Sequence, residues 1–104
     1  ATPEIVEDVF KQIIPALPNV EFGAHLHTVP ENATKLIEAA YKGNCRRFDG
    51  AIKGFGGCPM AADALTGNMP TEKLLKFLDK NSIRNQIDKN RFQEAFNMSS
   101  SIFI

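Results

Sequence analysis

Helical and extended segments alternate along this chain, and that alternation limits its possible folds more strongly than any other feature. Apolar residues recur at helical spacing in several segments, and segments typical of strands lie between them. The predicted order is helix, strand, helix, strand, helix, short strand and helix, over residues 3–14, 20–27, 30–41, 46–52, 70–78, 81–87 and 88–98. Strands that alternate with helices pair in parallel, and the helices cross between them.

Two or three parallel strands make an incomplete sheet, because their edges stay open and their faces stay uncovered. The simplest solution is an α/β fold that forms the C-terminal portion of a (β/α)8 TIM barrel. We therefore predict one partial TIM-barrel catalytic domain over residues 1–104, with the N-terminal strands missing from this chain.

The charge balance of the chain excludes several classes of partner. Twelve Lys and Arg residues offset twelve Asp and Glu residues, so no basic stripe favours nucleic acid. No apolar run has the length of a membrane span, and the first residues lack a signal-peptide pattern. Cys45 and Cys58 are too few for a disulfide framework. These features predict a cytoplasmic protein without a nucleic-acid or membrane partner.

The two histidines, His25 and His27, are separated by a single residue at the end of one predicted strand. Side chains at positions i and i+2 of a strand point to the same face. At the C-terminal end of a barrel strand, that face meets the mouth where barrel active sites form. Partly buried histidines bonded to backbone would give the same pattern. Because both histidines fall at one strand end, we favour metal ligands.

Asn68 is a candidate third ligand, because it follows Gly67 in a predicted loop before the third helix. Asparagine also favours turns and helix caps, so a purely structural role stays open. Its amide oxygen suits Mg²⁺ or Mn²⁺ as a partner to two imidazoles. Zinc is less favoured, since neither cysteine is spaced near the histidines.

Cys58 lies in a glycine-rich loop, after Gly56 and Gly57 and before Pro59. A free cysteine is usually a small buried apolar residue. The flanking glycines favour a site instead, because they permit unusual backbone angles and the close approach of a bound substrate. Cys45 lies at a helix-to-strand turn at the opposite end, and we interpret it as structural.

Glu72 falls in the first turn of the third predicted helix. Its carboxylate either complements the helix dipole or reaches the site, and the sequence leaves both alternatives open. Arg46, Arg47 and Asp49 alternate along the second predicted strand, and the sequence does not decide which of them face the interior.

Taken together, these residues resemble the 3-hydroxy-3-methylglutaryl-CoA lyase family over roughly residues 2–78. The histidine pair and the Gly-Asn element are shared with a wider superfamily of metal-dependent aldolase-like barrels, whereas the Gly-Gly-Cys-Pro loop points to the lyase. The matching motifs are His25-Leu26-His27, Phe48-Asp49, Gly54-Phe55-Gly56-Gly57-Cys58-Pro59, Gly67-Asn68 and Thr71-Glu72.

The resemblance implies an enzyme that cleaves 3-hydroxy-3-methylglutaryl-CoA to acetoacetate and acetyl-CoA with a divalent cation, Mg²⁺ or Mn²⁺. It makes His25, His27 and Asn68 the metal ligands. It also makes Cys58 the general acid and Glu72 a second catalytic residue. An acyl-CoA is then the substrate, and we expect a homo-oligomer.

The chain departs from the family because it lacks the first strand, with its aspartate ligand and adjacent arginine. We therefore expect this chain to be inactive by itself. Thr28 and Asn85 also differ from common family residues, so a related acyl-CoA could be the substrate. Two alternatives stay open: a Claisen-type synthase that joins an acyl-CoA to a 2-oxo acid, and a non-catalytic barrel fragment that self-associates to cover its sheet edges.

Overall fold

A computed structural model describes residues 1–56 and 67–102 of the chain. Helices alternate with short strands along the chain, as predicted, as far as the third helix. The helices are α1 (Pro3–Ala16), α2 (Ala33–Lys42), α3 (Thr71–Lys80) and α4 (Lys89–Ile102), and the strands are β1 (Ala24–His25), β2 (His27–Thr28), β3 (Phe48–Asp49) and β4 (Gly67–Asn68).

Helix α1 begins as its sequence predicts. The Thr2 hydroxyl accepts a hydrogen bond from the Ile5 amide at 3.2 Å, and Pro3 occupies the first turn, where its missing N–H is not needed. The helix ends at Ala16 rather than before Pro15, because the Leu17 amide still bonds to Ile13 in the last turn.

The core lies between α2 and its neighbours. Helix α2 packs against both α1 and α3, and its inward side chains Leu36 and Ile37 are buried. At the end of α2 the chain passes so close to α1 that a Cβ on Gly43 would lie 2.8 Å from Cβ of Phe10. Glycine is required there because the two helices leave no room for a side chain.

The strands form two separate pairs of opposite sense. Strands β1 and β3 are parallel, as predicted, and His25 lies opposite Asp49. Strands β2 and β4 are antiparallel, with His27 opposite Asn68. The prediction of one strand over residues 20–27 and of an all-parallel sheet was therefore wrong. The chain changes its pairing partner at Leu26, because residues 67–68 come to lie beside β2. The spacing of apolar residues in the sequence does not predict which distant segment pairs with a strand.

The last quarter of the chain also differs from prediction. No strand is found over residues 81–87, where Ser82 adopts a positive φ of 55° that interrupts extended backbone. Helix α4 starts after Asp88, whose carboxylate caps the amides of Asn90 and Arg91 at 3.0 and 3.1 Å. The helix continues to Ile102, and Ala95 on it is exposed.

Candidate active site

The two histidines lie close together although they belong to different strand pairs. The centroids of the His25 and His27 rings are 5.2 Å apart, and the ring planes meet at 79°. Their common location was predicted, but the structure divides residues 24–28 between two strand pairs and not one continuous strand.

Asn68 lies directly across the ladder from His27, so β4 brings the third predicted ligand to the histidine pair. The sequence placed Asn68 in a loop or at a helix cap, whereas the structure places it on a strand. Pro70 occupies the N-cap position of α3, without a side-chain cap bond. Residues opposite each other in an antiparallel pair have neighbouring side-chain origins. His25, His27 and Asn68 therefore converge on one site.

The donor set fits a divalent cation. The Nδ1 atom of His27 is buried and has no hydrogen-bond partner within residues 1–56 and 67–102. A buried polar atom normally has a partner, so this nitrogen is suited to a ligand. The amide oxygen suits Mn²⁺ or Mg²⁺, and an imidazole nitrogen is a common ligand of divalent transition metals. Over the same residues, no cluster of three or more His, Cys, Asp or Glu side chains is arranged to hold a metal ion.

Asp49 is a neighbour of this site that the sequence left unassigned. Its Oδ2 atom lies 3.6 Å from Nδ1 of His25, across the β1–β3 ladder. Both side chains are more than half exposed, at 56% and 62%, so the attraction between them is weak.

The backbone that leads toward the cysteine loop is unusually bent. Lys53, Gly54 and Gly56 have positive φ angles of 58°, 71° and 84°. The Asn68 amide nitrogen donates hydrogen bonds to the carbonyl oxygens of Phe55 and Gly56, at 2.8 and 2.5 Å. Residues 53–56, called here the glycine turn, therefore rest against the candidate ligand Asn68.

Glu72 also bonds to the glycine turn. Its Oε1 atom accepts a hydrogen bond from the Lys53 backbone amide at 2.8 Å, and the side chain is partly buried. The contact between Glu72 and the Lys53 amide was not predicted, because nineteen residues separate the two groups. Glu72 thus acts as a brace for left-handed backbone, and its predicted catalytic role stays a prediction.

Of the remaining predicted site residues, Gly56 is placed in the glycine turn, whereas Gly57 and Cys58 lie outside the described residues. Cys45 is fully buried, and its thiol donates to the carbonyl oxygen of Arg47 at 3.1 Å. Burial raises the pKa of this thiol, which makes it a poor nucleophile. This environment agrees with a structural Cys45.

Known proteins resemble the chain in both sequence and structure. No protein-family model matches it. It is 32% identical over 88 residues to (R)-citramalyl-CoA lyase of Chloroflexus aurantiacus, which covers 85% of this chain and 27% of that protein. It is 33% identical over 76 residues to hydroxymethylglutaryl-CoA lyase of Pseudomonas mevalonii, which covers 73% of this chain and 25% of that protein.

The fold matches a solved HMG-CoA lyase of Acinetobacter baumannii, in complex with coenzyme A and 3-methylmalate, with a TM-score of 0.84 and 27% identity. That match covers 97% of this chain and 33% of the solved one. These relatives are all lyases named for CoA thioesters, and the chain shares their α/β fold. It belongs to the 3-hydroxy-3-methylglutaryl-CoA lyase family. The chain spans about a quarter to a third of the length of the relatives it matches.

Among the described residues, no helix has the length and apolar character that crossing a membrane requires.

Proposed function

We propose that this chain is the C-terminal part of a (β/α)8 lyase that cleaves 3-hydroxy-3-methylglutaryl-CoA to acetoacetate and acetyl-CoA. The observation that carries the proposal is the convergence of His25, His27 and Asn68, where Nδ1 of His27 is buried and has no hydrogen-bond partner in the described part of the chain. Relatives named for this reaction support the substrate, and a related structure that binds coenzyme A supports an acyl-CoA.

An exposed apolar groove supports the proposal of a partial barrel. Ile5 and Val9 of α1 are 57% and 50% exposed, and they line a groove with Ala24 and Leu26. Strand β1 pairs with β3 on one edge, and in the described part of the chain no strand pairs with its other edge. In a closed barrel, a preceding strand and helix would cover both surfaces. We propose that upstream sequence does so here.

His25, His27 and Asn68 would hold the divalent cation. When bound, such an ion supplies Lewis acidity that makes a chelated substrate hydroxyl more acidic. In the proposed reaction that hydroxyl loses its proton to a base and the C2–C3 bond breaks. The electron pair then forms the enolate of acetyl-CoA. Cys58 would donate its thiol proton to the enolate carbon, while acetoacetate leaves.

The test measures acetyl-CoA release from 3-hydroxy-3-methylglutaryl-CoA, with and without Mg²⁺. The protein carries whatever upstream sequence its gene encodes, and the 104-residue chain is assayed beside it. We expect Mg²⁺-dependent release from the longer protein and none from the shorter. Cys58→Ala should lower turnover by about 10²–10⁴-fold, the range of general acid catalysis. Cys45→Ala is the matched control, because that thiol is buried and bonds to the Arg47 backbone, and it should keep its turnover.

Release that persists in Cys58→Ala would contradict the role of this thiol. No release from a folded protein that binds Mg²⁺ would contradict the lyase. Condensation of acetyl-CoA with a 2-oxo acid would then identify the synthase alternative. A cytoplasmic location also stays a prediction, since named relatives include a cytoplasmic rat lyase and a mitochondrial human one.

A further inference from the structure

The orientation of the Asn68 side chain is fixed by its surroundings. Within residues 1–56 and 67–102, the amide lies at hydrogen-bond distance from Phe55 O and Gly56 O, and both are acceptors. Only the amide nitrogen can face two acceptors, so Nδ2 must lie toward the glycine turn. The amide oxygen, Oδ1, is then the atom left on the opposite side of the planar group. An amide in the reverse orientation would place three oxygens against one another.

We propose that Asn68 has two simultaneous roles, which rest on the cation of the proposed function. Through Oδ1 it binds the divalent cation, and through Nδ2 it positions the backbone of residues 55–56. The cation and the glycine turn are therefore coupled through one side chain, and Asn68 is a positioning residue as well as a ligand.

The glycine turn needs such support because of its backbone conformation. Left-handed backbone is unfavourable for a residue such as Lys53, and it persists only where surrounding bonds hold it. The turn also packs tightly against β4, because a Cβ on Gly54 would lie 2.8 Å from the Asn68 carbonyl oxygen. Closely packed groups transmit small displacements, so a shift of Asn68 moves the turn.

The chemistry of the amide gives the coupling a direction. A cation on Oδ1 withdraws electron density from the conjugated amide, which makes the Nδ2 hydrogens better donors. Bonds in such a chain strengthen one another in a low-dielectric environment. Cation binding should therefore tighten the two bonds to the glycine turn and slow its local opening.

Two substitutions separate the roles. Asn68→Asp keeps an oxygen ligand but removes both donors, and it sets a carboxylate oxygen against the Phe55 and Gly56 carbonyls. Asn68→Leu removes ligand and donors together. Asn81→Asp is the matched control, because Asn81 Nδ2 also donates to a backbone carbonyl, that of Phe77 at 2.8 Å, but at the end of α3.

The experiment measures Mn²⁺ affinity by electron paramagnetic resonance and amide hydrogen exchange of residues 53–55 by NMR, in the full-length protein. In the unmodified protein, Mn²⁺ should slow exchange at the turn by roughly three- to tenfold. Asn68→Asp should keep its Mn²⁺ affinity but exchange about tenfold faster, without slowing on Mn²⁺ addition. Asn68→Leu should also exchange faster and lose at least about tenfold in affinity. Asn81→Asp should match the unmodified protein at the turn.

Several results would overturn the proposal. Unchanged exchange in Asn68→Asp would show that the donors do not hold the turn. Equal slowing by Mn²⁺ in Asn68→Asp and the unmodified protein would show that coupling does not pass through Asn68. If a variant fails to fold, bound Mn²⁺ that leaves the exchange of the unmodified protein unchanged overturns the coupling by itself. The lyase assay on the same sample reports separately on the proposed function, since Mn²⁺-dependent exchange without acetyl-CoA release contradicts only the reaction.

Discussion

Removing the Glu72 carboxylate tests whether this residue acts on the substrate or braces the glycine turn. Its bond to the Lys53 amide is 2.8 Å long and has a charged acceptor. Such bonds contribute about 1.5–3 kcal/mol, and partial exposure places this one near the lower limit. We expect Glu72→Ala to reduce the free energy of unfolding by about 1–2 kcal/mol. Glu72→Gln keeps an acceptor oxygen and should lose less than about 1 kcal/mol.

The assay is urea unfolding of the chain followed by far-ultraviolet circular dichroism, with Glu38→Ala as the control. Glu38 is also a helical glutamate, but its partner Lys42 lies 3.5 Å away at an exposed site. We expect that control to change stability by less than about 0.5 kcal/mol. If Glu72→Ala is no more destabilising than Glu38→Ala, the brace is refuted.

Turnover of the full-length protein then decides between the two roles. A brace predicts that Glu72→Gln retains most of its activity, because the amide oxygen still accepts the Lys53 bond. A Glu72→Gln protein that is as stable as the unmodified one but loses about 10²-fold or more in turnover would instead establish a catalytic carboxylate.

Three further predictions concern stability and cation binding. Gly54→Ala adds a Cβ 2.8 Å from the Asn68 carbonyl oxygen at a φ of 71°, so urea titration should show that the free energy of unfolding falls by about 2–4 kcal/mol. Gly23→Ala is the control, because a Cβ there meets only the flexible side chain of Arg47. An equal loss in Gly23→Ala would contradict this reasoning. Burial raises the pKa of the Cys45 thiol above its ordinary 9.0, so the folded state holds this proton more tightly than the unfolded state. Stability should therefore fall as the pH rises past 9.0, and unfolding curves of Cys45→Ala should show a weaker decline, whereas parallel declines would exclude the thiol as the cause. His27→Leu should abolish Mn²⁺ binding with little change in circular dichroism, because the buried Nδ1 has no hydrogen bond to lose within the described residues; Mn²⁺ binding that survives would remove His27 from the ligand set.

The helices were largely predictable because their signals are local. The apolar period of residues 3–14 predicted α1, and a similar period predicted α2 and α3. The strands were harder to predict. Each is two residues long, far shorter than the extended segments in the sequence, because pairing depends on residues distant along the chain.

In the candidate site, too, local features were predictable and contacts between distant residues were not. The types of its ligands were predictable, because histidine spacing and a Gly-Asn pair are visible in the sequence. The contacts that organise them were not, since Asn68 reaches Phe55 across thirteen residues and Glu72 reaches Lys53 across nineteen. Gly54 and Gly56 gave the only local signal for the bent turn, and nothing marked Lys53 as left-handed.

The ends of the segment over residues 57–66 are joined by backbone bonds that lie outside the segment. The Ala51 amide donates to the Met69 carbonyl at 2.9 Å, and the Thr71 amide donates to the Ala51 carbonyl at 3.0 Å. These bonds hold residue 51 beside residues 69 and 71, so the places where the chain enters and leaves the segment are set by the surrounding backbone. Substitutions within residues 57–66 can therefore change the chemistry of the segment without removing the bonds that join its flanks.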